Sequence, residues 1–249
     1  MDPIALSRAT ELVVCRDGRR SYWRFRPAKF YGGIATCDCC GCNLRCVYCW
    51  SWEHVVKPEA CGEFYTAEEA GERLISIARR HGFGKVRVSG GEPTICKDHL
   101  LELIDYVSRN SDLLFILETN GLLIGADENY AKELSQFPNL YVRVSLKGVD
   151  AKVFSKVSTA DERFFDLQIR ALENLAKYDV DCRAALMLEL AGGNSEELLK
   201  ERLGRIKPEL ADVEYETLIL YPRIVERLKR WDRQFVERIL ERRAQLNPF

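Results

Sequence analysis

The sequence predicts an α/β protein built on a parallel sheet, on three observations. From Tyr31 onward strand and helix patterns alternate strictly through six units, and such alternation calls for parallel strands joined by right-handed crossovers. The glycine-rich and polar segments fall at the carboxyl ends of those strands, where ligands gather both in an open doubly wound sheet and in an incomplete barrel of the (β/α) kind. The 249 residues are 47% hydrophobic and 30% charged, which supports a sizeable core and argues against disorder.

The elements follow in order. Residues 1–30 read as a small N-terminal extension, a β-hairpin with Asp17-Gly18 as its tight turn and Tyr22, Arg24 and Arg26 alternating with Trp23 and Phe25. Residues 31–249 read as one core domain. A first strand at about residues 32–36 leads into a cysteine-rich loop. TAEEAGERLISIARRHG (66–82) is an amphipathic helix with Thr66 as N-cap, Glu69 three residues on and a terminal Gly82. Strands follow at 85–91, 113–121, 140–148, 182–190 and 213–222. Helices are expected at 99–110, 128–137, 162–179, 195–206 and 223–245.

No apolar run reaches the roughly 18–20 residues of a membrane span. The first residues, with Asp2 early, lack a basic-then-apolar export pattern, so a cytoplasmic location is expected. Lys and Arg number 37 and Asp and Glu 38, so global charge marks no polyanionic partner.

Cysteine stands out. Six of the ten lie between Cys37 and Cys49, and clustered cysteines in a cytosolic chain of this size point to metal or redox chemistry. GCNLRCVYCW places Cys42, Cys46 and Cys49 in a C-x3-C-x2-C pattern. Three thiolates on one loop suit three irons of a cubane cluster, leaving the fourth iron open. The alternative is a zinc site on Cys39, Cys42, Cys46 and Cys49 in a non-enzymatic binding module. Cys37, Cys39, Cys40, Cys15, Cys61, Cys96 and Cys182 are surplus to the three. They read either as a second cluster or active-site thiol, or as small buried hydrophobes.

This spacing, with Tyr48 just before the last cysteine and VSGGEPT (88–94) after the second strand, resembles the radical S-adenosylmethionine (radical SAM) superfamily. The resemblance spans essentially the whole chain. It implies an incomplete (β/α)6 TIM-like barrel and an enzyme carrying a site-differentiated [4Fe-4S] cluster. In that family the open iron chelates S-adenosylmethionine, an electron from the cluster cleaves its C5′–S bond, and the 5′-deoxyadenosyl radical takes hydrogen from substrate. The resemblance gives Cys42, Cys46 and Cys49 to the cluster and Gly90, Gly91, Glu92 and Pro93 to the amino group of the cofactor. It also implies a one-electron donor such as ferredoxin or flavodoxin.

Two further strand ends carry polar groups. Glu118 and Asn120 close the third strand; the stretch is similar to that of glycyl-radical-enzyme activases, which carry Asp at Glu118. A carboxylate there suits a cationic ligand; the plain alternative is a turn with a solvated rim residue. Ser145 and Lys147 share a face of the fourth strand, and Lys147 is an expected partner for the cofactor carboxylate. Glu189 and Tyr221-Pro222 are expected at the ends of the last two strands as scaffold. His54 reads as a loop residue, His81 as a helix cap, and Trp50 and Trp52 as shields of the cluster or lining of the substrate side.

The substrate is not written in the sequence. A small molecule, as in the similar 7-carboxy-7-deazaguanine synthases or molybdenum-cofactor cyclisation enzymes, and a protein, as in the activases, are both compatible, with the shortness of the chain weighing against the cyclisation enzymes. RNA is a third class, suggested by Arg16, Arg19, Arg20, Arg24, Arg26 and Lys29 among aromatics and by the basic residues of the last helix, including Arg227, Arg242 and Arg243. Acidic residues alternate through that helix, which favours a solvated, salt-bridged face.

Overall fold

The computed structural model of the chain describes the backbone of residues 1–246 and the side chains up to Glu241. It opens with a helix that the hairpin reading of residues 1–30 omits, α1 (Pro3–Val14). Asp2 caps it, its Oδ1 accepting from the Ile4 and Ala5 amides, and Pro3 occupies the first turn. The hairpin follows as β1 (Cys15–Arg16) and β2 (Arg19–Ala28). Asp17 and Gly18 both take positive φ, which gives the turn the twist of its strands. β2 then pairs antiparallel with β3 (Ile34–Cys39), so one sheet runs unbroken across residue 30. Strand β3 ends later than residue 36, and Cys37 and Cys39 therefore belong to a strand and not to the loop.

A short helix α2 (Trp52–Val56) and a strand β4 (Glu63–Tyr65), which pairs with β2, lead to α3 (Ala67–His81). In α3 the expected capping box of Thr66 and Glu69 forms, and Gly82 closes the helix in the left-handed conformation. Then come β5 (Lys85–Gly90), α4 (Lys97–Asn110), β6 (Leu114–Thr119), α5 (Leu122–Ala126), α6 (Glu128–Leu134) and β7 (Leu140–Leu146). They are followed by α7 (Ala151–Ser158), α8 (Phe165–Lys177), β8 (Cys182–Met187), α9 (Gly193–Ile206) and β9 (Glu214–Glu216). The sixth parallel strand is thus shorter than residues 213–222, and Tyr221-Pro222 instead opens α10 (Pro222–Trp231). The long terminal helix is two, broken at Asp232 before α11 (Arg233–Leu246).

The parallel strands lie in the order β3-β5-β6-β7-β8-β9. Each neighbours the next in sequence and the order never reverses. A doubly wound sheet has such a reversal; this sheet winds one way and stays open, as an incomplete (β/α)6 TIM-like barrel does.

Strand alternation gives the sheet two unlike faces. Toward the helices, Val86, Val88, Phe115, Leu117, Val142, Val144 and Leu186 are buried, each contributing roughly 1.5–3 kcal/mol. The other face carries Asp38, Arg87, Ser89, Glu118, Arg143 and Ser145. Asp38 accepts from Arg24 at 2.7 Å, Arg26 at 3.1 Å and Ser89 at 3.0 Å. Glu118 takes Arg87 at 3.0 Å and Tyr31 at 2.7 Å, and Arg143 reaches Glu214 and Glu216 at 2.6 and 2.7 Å. The charges on this face are therefore mutually compensated. The hairpin arginines are engaged inward or locally: Arg20 is 1% exposed, Arg24 and Arg26 hold Asp38, and Arg19 pairs with Glu69. Arg242 and Arg243 lie outside the residues whose side chains are described.

Candidate active site

The cysteine loop leaves the end of β3. Distant elements fasten its backbone: Arg45 and Val47 donate their amides to the Ser158 and Val157 carbonyls at 3.1 and 2.9 Å, and Arg227 of α10 donates to the carbonyls of Val47, at 2.7 Å, and Cys49. Arg227 also lies over the Trp52 ring. Cys42, Cys46 and Cys49 are unpaired. Burial pushes all three thiols up, Cys49 to about 12 with a push from Cys46, while Lys147 and Arg227 pull Cys46 and Cys49 the other way. Lys147, at the end of β7, is thus electrostatically coupled to the cysteine loop.

Among the described residues no three His, Cys, Asp or Glu side chains converge as a single ion requires. A four-iron cube takes its thiolates around its corners and not at one point. The donor set fits such a cube: soft sulfur ligands, Cys46 buried and Cys42 and Cys49 partly buried against the apolar core, with Arg45, Lys147 and Arg227 near enough to Cys46 to offset thiolate charge. Cys39 does not join the trio as a zinc site would need. Its thiol is buried beside Arg20 and Glu92.

The GGEP turn ends β5 and is bound to the same loop. Gly91 donates its amide to the Cys39 carbonyl at 2.8 Å, and Glu92 donates to Gly41 at 2.8 Å. A Cβ on Gly91 would stand 1.9 Å from the Gly41 oxygen, so only glycine permits this approach. Gly90 has φ +96° and lies against the backbone of Asp38 and Cys39. Glu92, 2% exposed, directs its carboxylate into the protein. Oε1 accepts from the Thr94 amide and hydroxyl at 3.2 and 2.7 Å and from the Thr119 hydroxyl at 2.6 Å, and Oε2 accepts from the Asn120 amide at 2.8 Å. Its side chain joins the ends of β5 and β6.

Asn120 is buried and continues the chain of contacts. Its Oδ1 accepts from the Leu122 amide at 3.1 Å, and its Nδ2 donates to Asn43 Oδ1 at 2.7 Å beside the Cys42 sulfur. Glu118 lies on the polar sheet face, held by Arg87 at 3.0 Å and Tyr31 at 2.7 Å. Ser145 and Lys147 share a face as expected, with Lys147 Nζ donating to Ser145 Oγ at 2.6 Å.

The sequence profile of the Radical SAM superfamily matches residues 38–201. The chain belongs to the radical SAM superfamily. It is 35% identical over 133 residues to the Fe-coproporphyrin III synthase of Methanosarcina barkeri, covering 53% of this chain and 31% of that protein. It is 32% identical over 164 residues to a probable GTP 3′,8-cyclase of Pyrococcus abyssi, covering 63% and 47%. The matches thus span less than half the length of these curated relatives. The crystal structure of Streptococcus suis SuiB bound to S-adenosylmethionine shares the fold, with a TM-score of 0.56 at 18% identity over 81% of this chain and 46% of that one. Spore photoproduct lyase shares it with a TM-score of 0.53 at 13% identity, over 85% and 64%.

This radical SAM chain is an enzyme, and enzymes of the superfamily use a [4Fe-4S] cluster and S-adenosylmethionine. No helix among its described residues is long and apolar enough to cross a membrane. The surplus cysteines take a form that the sequence reading did not foresee: Cys15–Cys96 and Cys40–Cys61 are disulfides, with Cα separations of 6.0 and 5.9 Å. Cys37, Cys39 and Cys182 are free.

Other residues take defined places in this radical SAM fold. His54 stacks on Trp23 with ring centroids 4.0 Å apart, and burial, with Arg24 nearby, holds its imidazole below the usual range. His81 stacks on Phe83 at the end of α3, and half-exposed Trp50 packs against Trp23. Glu189, just past β8, accepts from the Leu218 amide at 3.1 Å and so bridges to the segment after β9. Sequence reading missed Gln168 of α8, whose Nε2 donates to the Asn120 carbonyl at 2.6 Å and the Ser145 carbonyl at 3.2 Å while its Oε1 accepts from the Lys147 amide at 3.0 Å. Arg227 was missed as a fastener of the loop.

Proposed function

We propose that Cys42, Cys46 and Cys49 hold three irons of a [4Fe-4S] cluster and leave the fourth to S-adenosylmethionine, with residues 31–249 as the catalytic core and 1–30 as its N-terminal extension. The observation that carries this reading is the three unpaired thiols of the loop after β3, Cys46 buried and Cys42 and Cys49 partly so, on a loop bound by backbone to the GGEP turn. Held by Cys42, Cys46 and Cys49, the cluster would supply the one-electron reducing chemistry that opens S-adenosylmethionine for hydrogen abstraction from the substrate.

The chain's own residues hold and shield. Tyr48, Gly90, Gly91 and Pro93 form the near wall for the cofactor, the glycines through their backbone. Glu92 and Asn120 keep that wall in place, Glu118 steadies the polar face, and Lys147 with Ser145 receives the cofactor carboxylate. Trp50 and Trp52 exclude water, which a radical intermediate demands.

The electron comes from a donor such as ferredoxin or flavodoxin, with the enzyme working in the cytoplasm. The substrate we favour is a small polar molecule. Relatives named for a GTP cyclisation and for Fe-coproporphyrin III support it, as does the charged sheet face of Arg87, Glu118 and Arg143.

Anaerobic purification with iron and sulfide analysis tests the assignment. About four irons per chain, lost in Cys46→Ala and kept in Cys39→Ala, support it; one zinc and no iron would overturn it. Dithionite-driven release of 5′-deoxyadenosine, stimulated by a small-molecule fraction of a cell extract rather than by its protein or RNA, supports the substrate class.

A further inference from the structure

Asn43 follows the first cysteine of the loop and is 0% exposed, yet its Nδ2 has no partner in the protein. Its orientation is dictated from outside. The Leu122 amide can only donate, so the atom it meets at 3.1 Å on Asn120 is the oxygen. Asn120 therefore presents its NH2 to Asn43, and the atom that meets it at 2.7 Å is the Asn43 oxygen. Reversing Asn43 would set two NH2 groups against each other. What remains is a buried amide donor that cannot turn away and has nothing to donate to. Buried donors without acceptors are rare, and each calls for a partner.

The place of this amide says which partner. Asn43 Oδ1 and Asn120 Nδ2 each lie 3.9 Å from Cys42 Sγ, so the pair flanks the first thiol of the loop. Resting on the cluster assignment above, we infer that Asn43 Nδ2 donates an N–H···S hydrogen bond to a sulfur of the [4Fe-4S] cluster and thereby raises its reduction potential. Hydrogen bonds to cluster sulfurs are among the levers that set this potential. The reduced cube carries one more negative charge than the oxidised cube, so a fixed donor favours the reduced form. The electron comes from a low-potential one-electron donor, and no proton moves. Asn120 acts as a positioning residue through Asn43.

The test uses the full chain with its cluster assembled anaerobically. In Asn43→Ala, a potentiometric titration followed by EPR gives an equilibrium constant for reduction about tenfold lower, a fall of about 59 mV for a one-electron couple, with iron content unchanged. In the unmutated protein labelled with 15N-asparagine, pulsed EPR of the reduced cluster shows a 15N coupling that is absent in Asn43→Ala. The coupling keeps the test decisive where the variant fails to assemble its cluster. A four-iron variant with an unchanged potential overturns the inference, as does a labelled wild-type cluster without coupling. An unchanged potential with weakened S-adenosylmethionine binding also overturns it and assigns the amide to that ligand. A wild-type protein without iron removes the cluster assignment itself and this inference with it.

Discussion

Gln168 holds Asn120 from behind: its buried amide donates to the Asn120 carbonyl at 2.6 Å, while the same side chain accepts from the Lys147 amide at 3.0 Å. One glutamine on α8 thus sets the spacing between the ends of β6 and β7. Gln168→Leu strands those backbone groups, each worth about 1–3 kcal/mol when buried and unpaired. Anaerobic calorimetry should show S-adenosylmethionine binding weakened about tenfold with full iron content. Loss of iron at the same time would contradict this division of labour.

Glu92 accepts four hydrogen bonds within the protein and makes its contribution from inside the wall. In Glu92→Gln one oxygen becomes an NH2 that cannot accept, so at least one charge-assisted bond is lost. The expected cost is about 2–3 kcal/mol of stability, read by chemical denaturation. The cluster should remain, and the affinity for S-adenosylmethionine should fall.

Arg227 donates to the carbonyls of Val47 and Cys49 from 180 and 178 residues away. Arg227→Met keeps most of the packing on Trp52 and removes the donors. The cysteine loop should loosen, and the cluster should yield its iron to a chelator several-fold faster than in the unmutated protein. Equal rates would show that the loop holds itself.

His99 is buried between Tyr22, 2.9 Å from its Nε2, and the Gly18 carbonyl, 3.0 Å from its Nδ1. That pair of contacts suits the neutral ring, with Nδ1–H donating and Nε2 accepting. Burial lowers its pKa to about 4 from 6.5. The folded protein therefore binds a proton less readily than the unfolded chain, and the stability this confers is complete above pH 6.5 and fades as pH falls toward 4. Between pH 7.5 and 5.5 the loss from this one group is about 1.4 kcal/mol. Denaturant titrations at the two values should show that fall shrink in His99→Gln.

The cluster motif and the GGEP turn were legible because their chemistry sets residue types a few positions apart. Gln168, Arg227 and Arg20 were not, because the fold alone brings them to their partners. Helix α1 escaped the periodic reading for a physical reason: its buried positions are Pro3, Ser7, Thr10 and Val14, so its inner face carries almost no hydrophobic signal. Glu118 was read correctly as a polar end of a strand. Its pairing with Arg87 leaves no local signal, because Arg87 comes from a neighbouring strand, 31 residues earlier. Disulfides between residues 81 and 21 positions apart leave no local trace.

The Cys15–Cys96 bridge encloses the whole stretch that carries Cys42, Cys46, Cys49 and GGEP, with the Cys40–Cys61 bridge nested inside it. A protease that nicks the backbone anywhere along that covalent ring produces no separate fragments, since both halves stay tethered. On a denaturing gel the nicked chain would run as one species until a thiol was added, then fall into two.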